Sequence, residues 1–336
     1  MSYMYAVARL RAMENRFLDA SFFSRLIESA TLEDAFKSLG ETVYAQWITG
    51  SSEGGFDRII DSELIAACDD LTGFVPDKEL VYIYRMPYDF NNVKVILKSL
   101  FRTKENGERR YDLLSRLGAV DPESLVMAIE GEEYAFLPYK LVNVVPRCIA
   151  LWDQTKSPQQ AETVLDAHMF VAMRATAEKL DAKLGTSKVV RWVRHRIDAE
   201  NLRSAVRLQR MNYDYTSALP FFHKGGTIRP DDVAKLMSEP PETWSKSLSH
   251  TGIGAALESI QDSTDVQAAL SDVSKALDEY LARVLGKAKY NATAPENVIL
   301  YLLRKEEEAR NLRVALVCVA NGLNRAFARR LLSRGR

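Results

Sequence analysis

The stretch RIDAENLRSAVR, residues 196–207, decides how the chain folds, because its central features occur twice more. Asn201 has counterparts at Asn92 and Asn311, at intervals of 109 and 110 residues. Each asparagine is preceded by an arginine at the seventh position (Arg85, Arg194, Arg304) and by an acid at the third (Asp89, Asp198, Glu308). It is followed by an apolar residue (Val93, Leu202, Leu312) and then a basic one (Lys94, Arg203, Arg313). The copies read YDFNNVK, IDAENLR and EEARNLR. A fixed period of this length is that of a small domain, so the spacing predicts a triplicated unit.

A second marker runs ahead of the first. Ile60-Asp61, Leu165-Asp166 and Leu277-Asp278 precede the asparagines by 31, 35 and 33 residues from aspartate to asparagine, and each is expected to open an apolar helical stretch. Two weaker echoes occur in two copies only: Ser24-Arg25-Leu26 with Ser115-Arg116-Leu117, and Leu39 to Thr42 with Leu248 to Thr251.

Helical periodicity dominates and alternating strand patterns are scarce, so the expected fold class is all-α. Tyr3, Val7, Leu10 and Phe17 mark an opening helix expected to end near Asp19-Ala20. Thr31 with Asp34, and Thr293 ahead of Pro295 and Glu296, read as helix starts. Pro87 is expected at the start of its helix, with Arg85 just outside. Gly, Pro and Ser collect at Thr49 to Gly55, Arg102 to Glu108, Gly225-Gly226 with Pro230, and Glu239 to Pro241. These breaks divide the chain into helical repeats at 1–105, 106–215 and 216–336.

On a helix, the residues at −7, −3 and 0 share one face, so arginine, acid and asparagine form a polar strip. A motif present in every copy is first a folding device, an internal clamp rather than a partner surface. The set Arg85, Asp89, Asn92, Lys94, Arg194, Asp198, Asn201, Arg203, Arg304, Glu308, Asn311 and Arg313 is accordingly read as structural.

Composition narrows the function. With 45 basic and 45 acidic residues the chain has no net charge, which gives no bulk attraction to nucleic acid or anionic lipid. No apolar stretch approaches the roughly 20 residues of a membrane span. The N-terminus lacks the apolar core of a secretion signal, and the chain reads as cytoplasmic. Cys68, Cys148 and Cys318 are too dispersed for a disulfide framework or a thiolate clip. No phosphate-cradling loop, no metal-binding histidine pair and no nucleophile elbow is present. His168, His195, His223 and His250 are isolated, and the run Glu306-Glu307-Glu308 reads as a solvated face plus the repeat's own acid. The expectation is therefore no catalytic residue, no metal and no cofactor. The arginine-rich ending, Asn324 to Arg336, reads as a solvated helical end.

The opening YMYAVARLRAMENRFLDASFFSRLIES, the segments MPYDFNNVKVILK and RIDAENLRSAVR, and the ending ARNLRVALVCVANGLNRAFARRLL together resemble the C/d subunit family of vacuolar- and archaeal-type rotary ATPases. The resemblance spans nearly the whole chain. It implies three similar helical domains in a pseudo-threefold funnel. The mouth would receive the central shaft of subunits D and F, and the base would sit on the membrane proteolipid (c/K/L) ring. It also implies a non-catalytic central-stalk adaptor passing torque on the cytoplasmic face, without a membrane span of its own. The competing expectation is a helical-repeat scaffold that binds soluble protein partners.

Overall fold

The computed structural model describes residues 2–48, 55–105, 107–258, 260 and 266–332, with 266–269 described by backbone alone. The expected loop at Thr49 to Gly55 falls almost wholly outside these residues, as do Arg334 and Arg336 of the basic ending. Among the described residues there are sixteen α-helices and no strand, so the all-α expectation holds. They are α1 (Tyr3–Glu14), α2 (Ala20–Ile27), α3 (Leu32–Leu39), α4 (Phe56–Phe74), α5 (Glu79–Lys104) and α6 (Pro122–Glu130). Then come α7 (Val145–Thr155), α8 (Pro158–Leu184), α9 (Lys188–Arg210), α10 (Tyr215–Ala218) and α11 (Pro230–Leu236). The last are α12 (Trp244–Ser247), α13 (Gly252–Leu257), α14 (Val266–Gly286), α15 (Asn297–Ala320) and α16 (Arg325–Leu331).

Two compact units result, one of residues 1–84 with 286–336 and one of 85–285. In the first, α15 packs on α1, α2, α3, α4 and α16. The short helices α2 and α3 exist because each has a cap and one apolar face. Asp19 accepts from Phe22 N at 2.7 Å and Thr31 Oγ1 accepts from Asp34 N at 3.1 Å, satisfying N–H groups that a helix start leaves open. Their inner faces, Phe22, Phe23, Leu26, Ile27, Ala35, Phe36 and Leu39, bury against Leu312, Ala315 and Leu316 of α15. In the second unit α8 packs on α7 and α9, and α9 on α11. Its α9–α14 core is built around the fully buried Trp244. Gly185, at φ +64°, ends α8 in the left-handed region where glycine carries no Cβ penalty.

Four local expectations are corrected. The opening helix ends at Glu14, because Asp19 is committed to capping α2 and so begins a new element. Pro87 lies inside α5, eight residues past its start, and Arg85 is helical. The proline forfeits an intrahelical hydrogen bond, and the burial of Tyr84, Met86 and Phe90 around it holds the helix continuous. Thr293 does not cap α15: its N–H and hydroxyl bind Asn291 Oδ1, while Asn297 donates to the carbonyls of Ala288, Asn291 and Ala294. Finally, Asp61, Asp166 and Asp278 lie within α4, α8 and α14 rather than at their beginnings.

Candidate functional site

The polar strips sit on three of the long helices, α5, α9 and α15, and each locks onto the chain just ahead of a short helix. On α5, Asn92 Nδ2 donates to Ser115 O and its Oδ1 accepts from Ser115 N, both at 2.8 Å. On α9, Asn201 does the same to His223, again at 2.8 Å twice. An amide side chain carries a donor and an acceptor side by side, so it can satisfy both backbone atoms of a single residue. Asn311 on α15 is likewise buried.

The acids extend the pattern. Asp89 accepts from Val120 N at 3.0 Å, Asp198 from Ile228 N at 2.9 Å, and Glu308 from Leu18 N at 2.6 Å. In each case the donor stands two residues before a helix begins, at Pro122, Pro230 and Ala20. Asp89 also accepts from Tyr139 Oη at 2.6 Å, and Glu308 from Tyr44 Oη at 2.7 Å. Asp198 takes Thr227 N at 2.8 Å and Thr227 Oγ1 at 2.5 Å. Burial raises the Asp89 carboxyl above the usual range despite the Tyr139 and Val120 hydrogen bonds and nearby Arg85.

The arginines reach beyond the strip. Arg85 donates to the carbonyls of Leu117 at 2.9 Å and Gly118 at 2.6 Å, and Arg194 to that of Gly226 at 3.4 Å. Arg304 instead pairs with Glu14 at 2.9 Å. Gly118 and Gly226 are required here: a Cβ on either would stand 2.2 or 2.1 Å from Oδ1 of Asp89 or Asp198. The corresponding position before α2 is Arg16, and there the acid is the longer glutamate.

The basic residues after the asparagines find the second marker. Lys94 pairs with Asp166 at 2.5 Å, Arg203 with Asp278 and Arg313 with Asp61. Taken in chain order, each long helix binds the aspartate of the next set, and the third binds that of the first. Burial lifts the Asp166 and Asp61 carboxyls above the usual range, outweighing Lys94 and Arg313.

One charged centre was not anticipated from the sequence. Lys305 is 2% exposed and its Nζ lies 2.7 Å from Glu308 Oε1 and 3.2 Å from Glu63 Oε1, over the Tyr44 ring. Trp47 Nε1 and Gln46 Nε2 donate to the other Glu63 oxygen at 2.8 and 3.3 Å. Glu308 is therefore buried, not part of a solvated face, and Glu306 and Glu307 are half-buried. Beside this centre lies a cavity of about 400 Å³, with Arg16, Gln46, Glu63 and Lys305 in its lining. His195 takes the Lys305 position on α9, 3.6 Å from Asp198 and 3.2 Å from Tyr280 Oη. The position on α5 holds Met86.

Among the described residues no group of three His, Cys, Asp or Glu side chains could hold a metal ion, and no helix is long and apolar enough to cross a membrane. Cys68, Cys148 and Cys318 are all buried. What the strips do chemically is satisfy one another and the adjacent backbone. The fold and these bonds define an all-helical protein whose charged side chains lock helix to helix and helix to loop.

Known proteins resemble this chain in sequence. The chain belongs to the ATP synthase (C/AC39) subunit family, whose profile matches residues 6–331. It is similar to the C subunit of the V-type sodium ATPase of Enterococcus hirae, at 21% identity over 92% of this chain and 91% of the relative. It is also similar to the C subunit of the A-type ATP synthase of Thermococcus onnurineus, at 22% identity over 96% of this chain and 87% of the relative. For that of Haloferax volcanii, identity is 24% over 92% and 91%.

Proposed function

We propose that this chain is the non-catalytic central-stalk adaptor of a rotary ATPase. It would seat the shaft of subunits D and F on the membrane proteolipid ring and pass torque between them on the cytoplasmic side. The observation that carries this reading is the family match across nearly the whole chain, with relatives of like length that are C subunits of V-type and A-type complexes. A torque-bearing part must be stiff, and helices whose buried polar groups are bonded to loop backbone resist deformation because every displacement breaks several bonds together.

In this reading the chain comprises three helical repeats, 1–105, 106–215 and 216–336, set about a pseudo-threefold axis, with the strips as their common internal clamp. Support comes from the like bonds made by Asn92 and Asn201, by the three acids, and by the three basic residues in cyclic order. The test is co-purification from detergent-solubilised membranes after the peripheral stalks are stripped. The tagged chain should stay with ring and shaft. Recovery with soluble proteins alone would replace the adaptor with a scaffold.

A further inference from the structure

Three helices of one design and three aspartate-bearing helices of another create a recognition problem. The outer contact is the same each time, a basic residue on an aspartate: Lys94 on Asp166, Arg203 on Asp278, Arg313 on Asp61. It holds helices together but cannot tell one partner from another. The positions one step inward do differ. Six residues before the asparagine stand Met86, His195 and Lys305, and two residues after the aspartate stand His168, Tyr280 and Glu63. Where they meet, the chemistry is complementary. Lys305 Nζ lies 3.2 Å from Glu63, and His195 Nδ1 is 3.2 Å from the Tyr280 hydroxyl.

We infer that Lys305 with Glu63 is a pairing key that makes α15 dock on α4 and on no other aspartate-bearing helix. The key presupposes the three-repeat reading above and works through the cost of a stranded charge. Docked on α8 or α14, α15 would keep its own Glu308 beside Lys305 at 2.7 Å but set the buried ammonium against His168 or Tyr280 in place of the Glu63 carboxylate. Docked on α4, a helix bearing Met86 or His195 would leave Glu63 without the Lys305 cation. Burying an ion without its partner is far costlier than burying a neutral side chain of like size. The penalty therefore falls on wrong pairings, whether within a chain or between two.

The key is separable from stability, because α5 already shows how the site is built without a lysine. There Asp89 has a backbone N–H and a tyrosine hydroxyl as donors with Met86 beside it, and Glu308 has the same two donor types in Leu18 N and Tyr44 Oη. Lys305→Met together with Glu63→His copies the α5 and α8 residues into α15 and α4.

The experiment unfolds the full chain in urea, refolds it at a series of protein concentrations, and measures the monomer recovered by size-exclusion chromatography, alongside the urea midpoint of that monomer. The double variant is expected to keep the midpoint but to yield mispaired oligomers at least about tenfold more abundant than in the unsubstituted chain, rising with concentration. Lys305→Met alone, which leaves the buried Glu63 carboxylate without its cation, is expected to shift monomer recovery in the same direction and to lower the urea midpoint as well. Unchanged monomer recovery in both would overturn the key and leave the repeat reading standing. Loss of folded monomer in both would also overturn it, since the pair would then be needed for stability rather than for choice. Failure of the repeat reading shows elsewhere, as unequal coupling energies in double-mutant cycles on Lys94–Asp166, Arg203–Asp278 and Arg313–Asp61.

Discussion

Tyr44 and Glu308 lie 264 positions apart, yet the hydroxyl of one donates to the carboxylate of the other at 2.7 Å inside the first unit. Leu18 N and Lys305 complete the coordination of that carboxylate, so residues from both ends of the chain close on one buried acid.

Tyr44→Phe removes one donor from a charged acceptor and is expected to cost about 1–3 kcal/mol, read as a lower urea midpoint. Burial and the Glu308 charge also hold the Tyr44 phenol far above its ordinary range. A raised value in the folded state means its contribution is complete below pH about 10 and is lost as pH rises further. The variant should therefore lose less stability than the unsubstituted chain between neutral pH and strongly alkaline pH. An equal alkaline loss in both would show that Tyr44 is not the group responsible.

Gly226→Ala and Gly118→Ala should each destabilise by about 1–3 kcal/mol, since the new methyl would overlap a carboxylate oxygen already bonded to the loop. Thermal unfolding measures this. A midpoint unchanged in either variant would mean that the loop yields without breaking the Asp198 or Asp89 bonds.

Asn201→Leu strands both the N–H and the carbonyl of buried His223 and is expected to cost about 2–4 kcal/mol. Arg194→Ala should cost under about 1 kcal/mol, because its bond to the Gly226 carbonyl is long and exposed. In the assembled complex, coupling of ATP hydrolysis to ion movement should persist below both melting midpoints. Lost coupling at unchanged stability would make the strip a partner surface instead of a clamp.

Lys94 and Asp166 should respond unequally to removal. Burial raises the Asp166 carboxyl above the unfolded value of about 3.9, against the pull of Lys94. Its stabilising share is therefore full below pH about 4 and is withdrawn as pH climbs through the raised value. Asp166→Asn is expected to be more costly at pH about 4 than at pH about 7.5. Urea midpoints at the two conditions give the comparison, and the reverse order would mean that attraction to Lys94 outweighs burial. Lys94→Met, which strands the carboxylate, should cost more than Asp166→Asn at neutral pH.

Much of the polar strip was legible in the chain because it is local. A helix places residues three and four apart on one face whatever it packs against, so Asp89 with Asn92, or Asp198 with Asn201, could be read as a strip from spacing alone. The echo of Leu39 to Thr42 in Leu248 to Thr251 also has matching bonds, each threonine hydroxyl donating to the leucine carbonyl at 2.7 Å. The echo of Ser24 to Leu26 does not: those residues lie within α2, whereas Ser115 to Leu117 precede α6. A better signal was present in Gly118 with Pro122 and Gly226 with Pro230, each four apart and each 25 or 26 residues beyond an asparagine to the glycine. Those glycines looked like ordinary loop punctuation because the carboxylates they accommodate are distant in sequence.

By itself the sequence determined the helical class, the strips and the family, since periodicity, caps and motif order are properties of neighbouring residues. It could not determine which acid would receive Lys305, that Pro87 would be carried inside α5, or that Glu308 would be buried. Those were decided by tertiary packing, because burial sets the energetic value of a charge, and burial depends on segments hundreds of positions away.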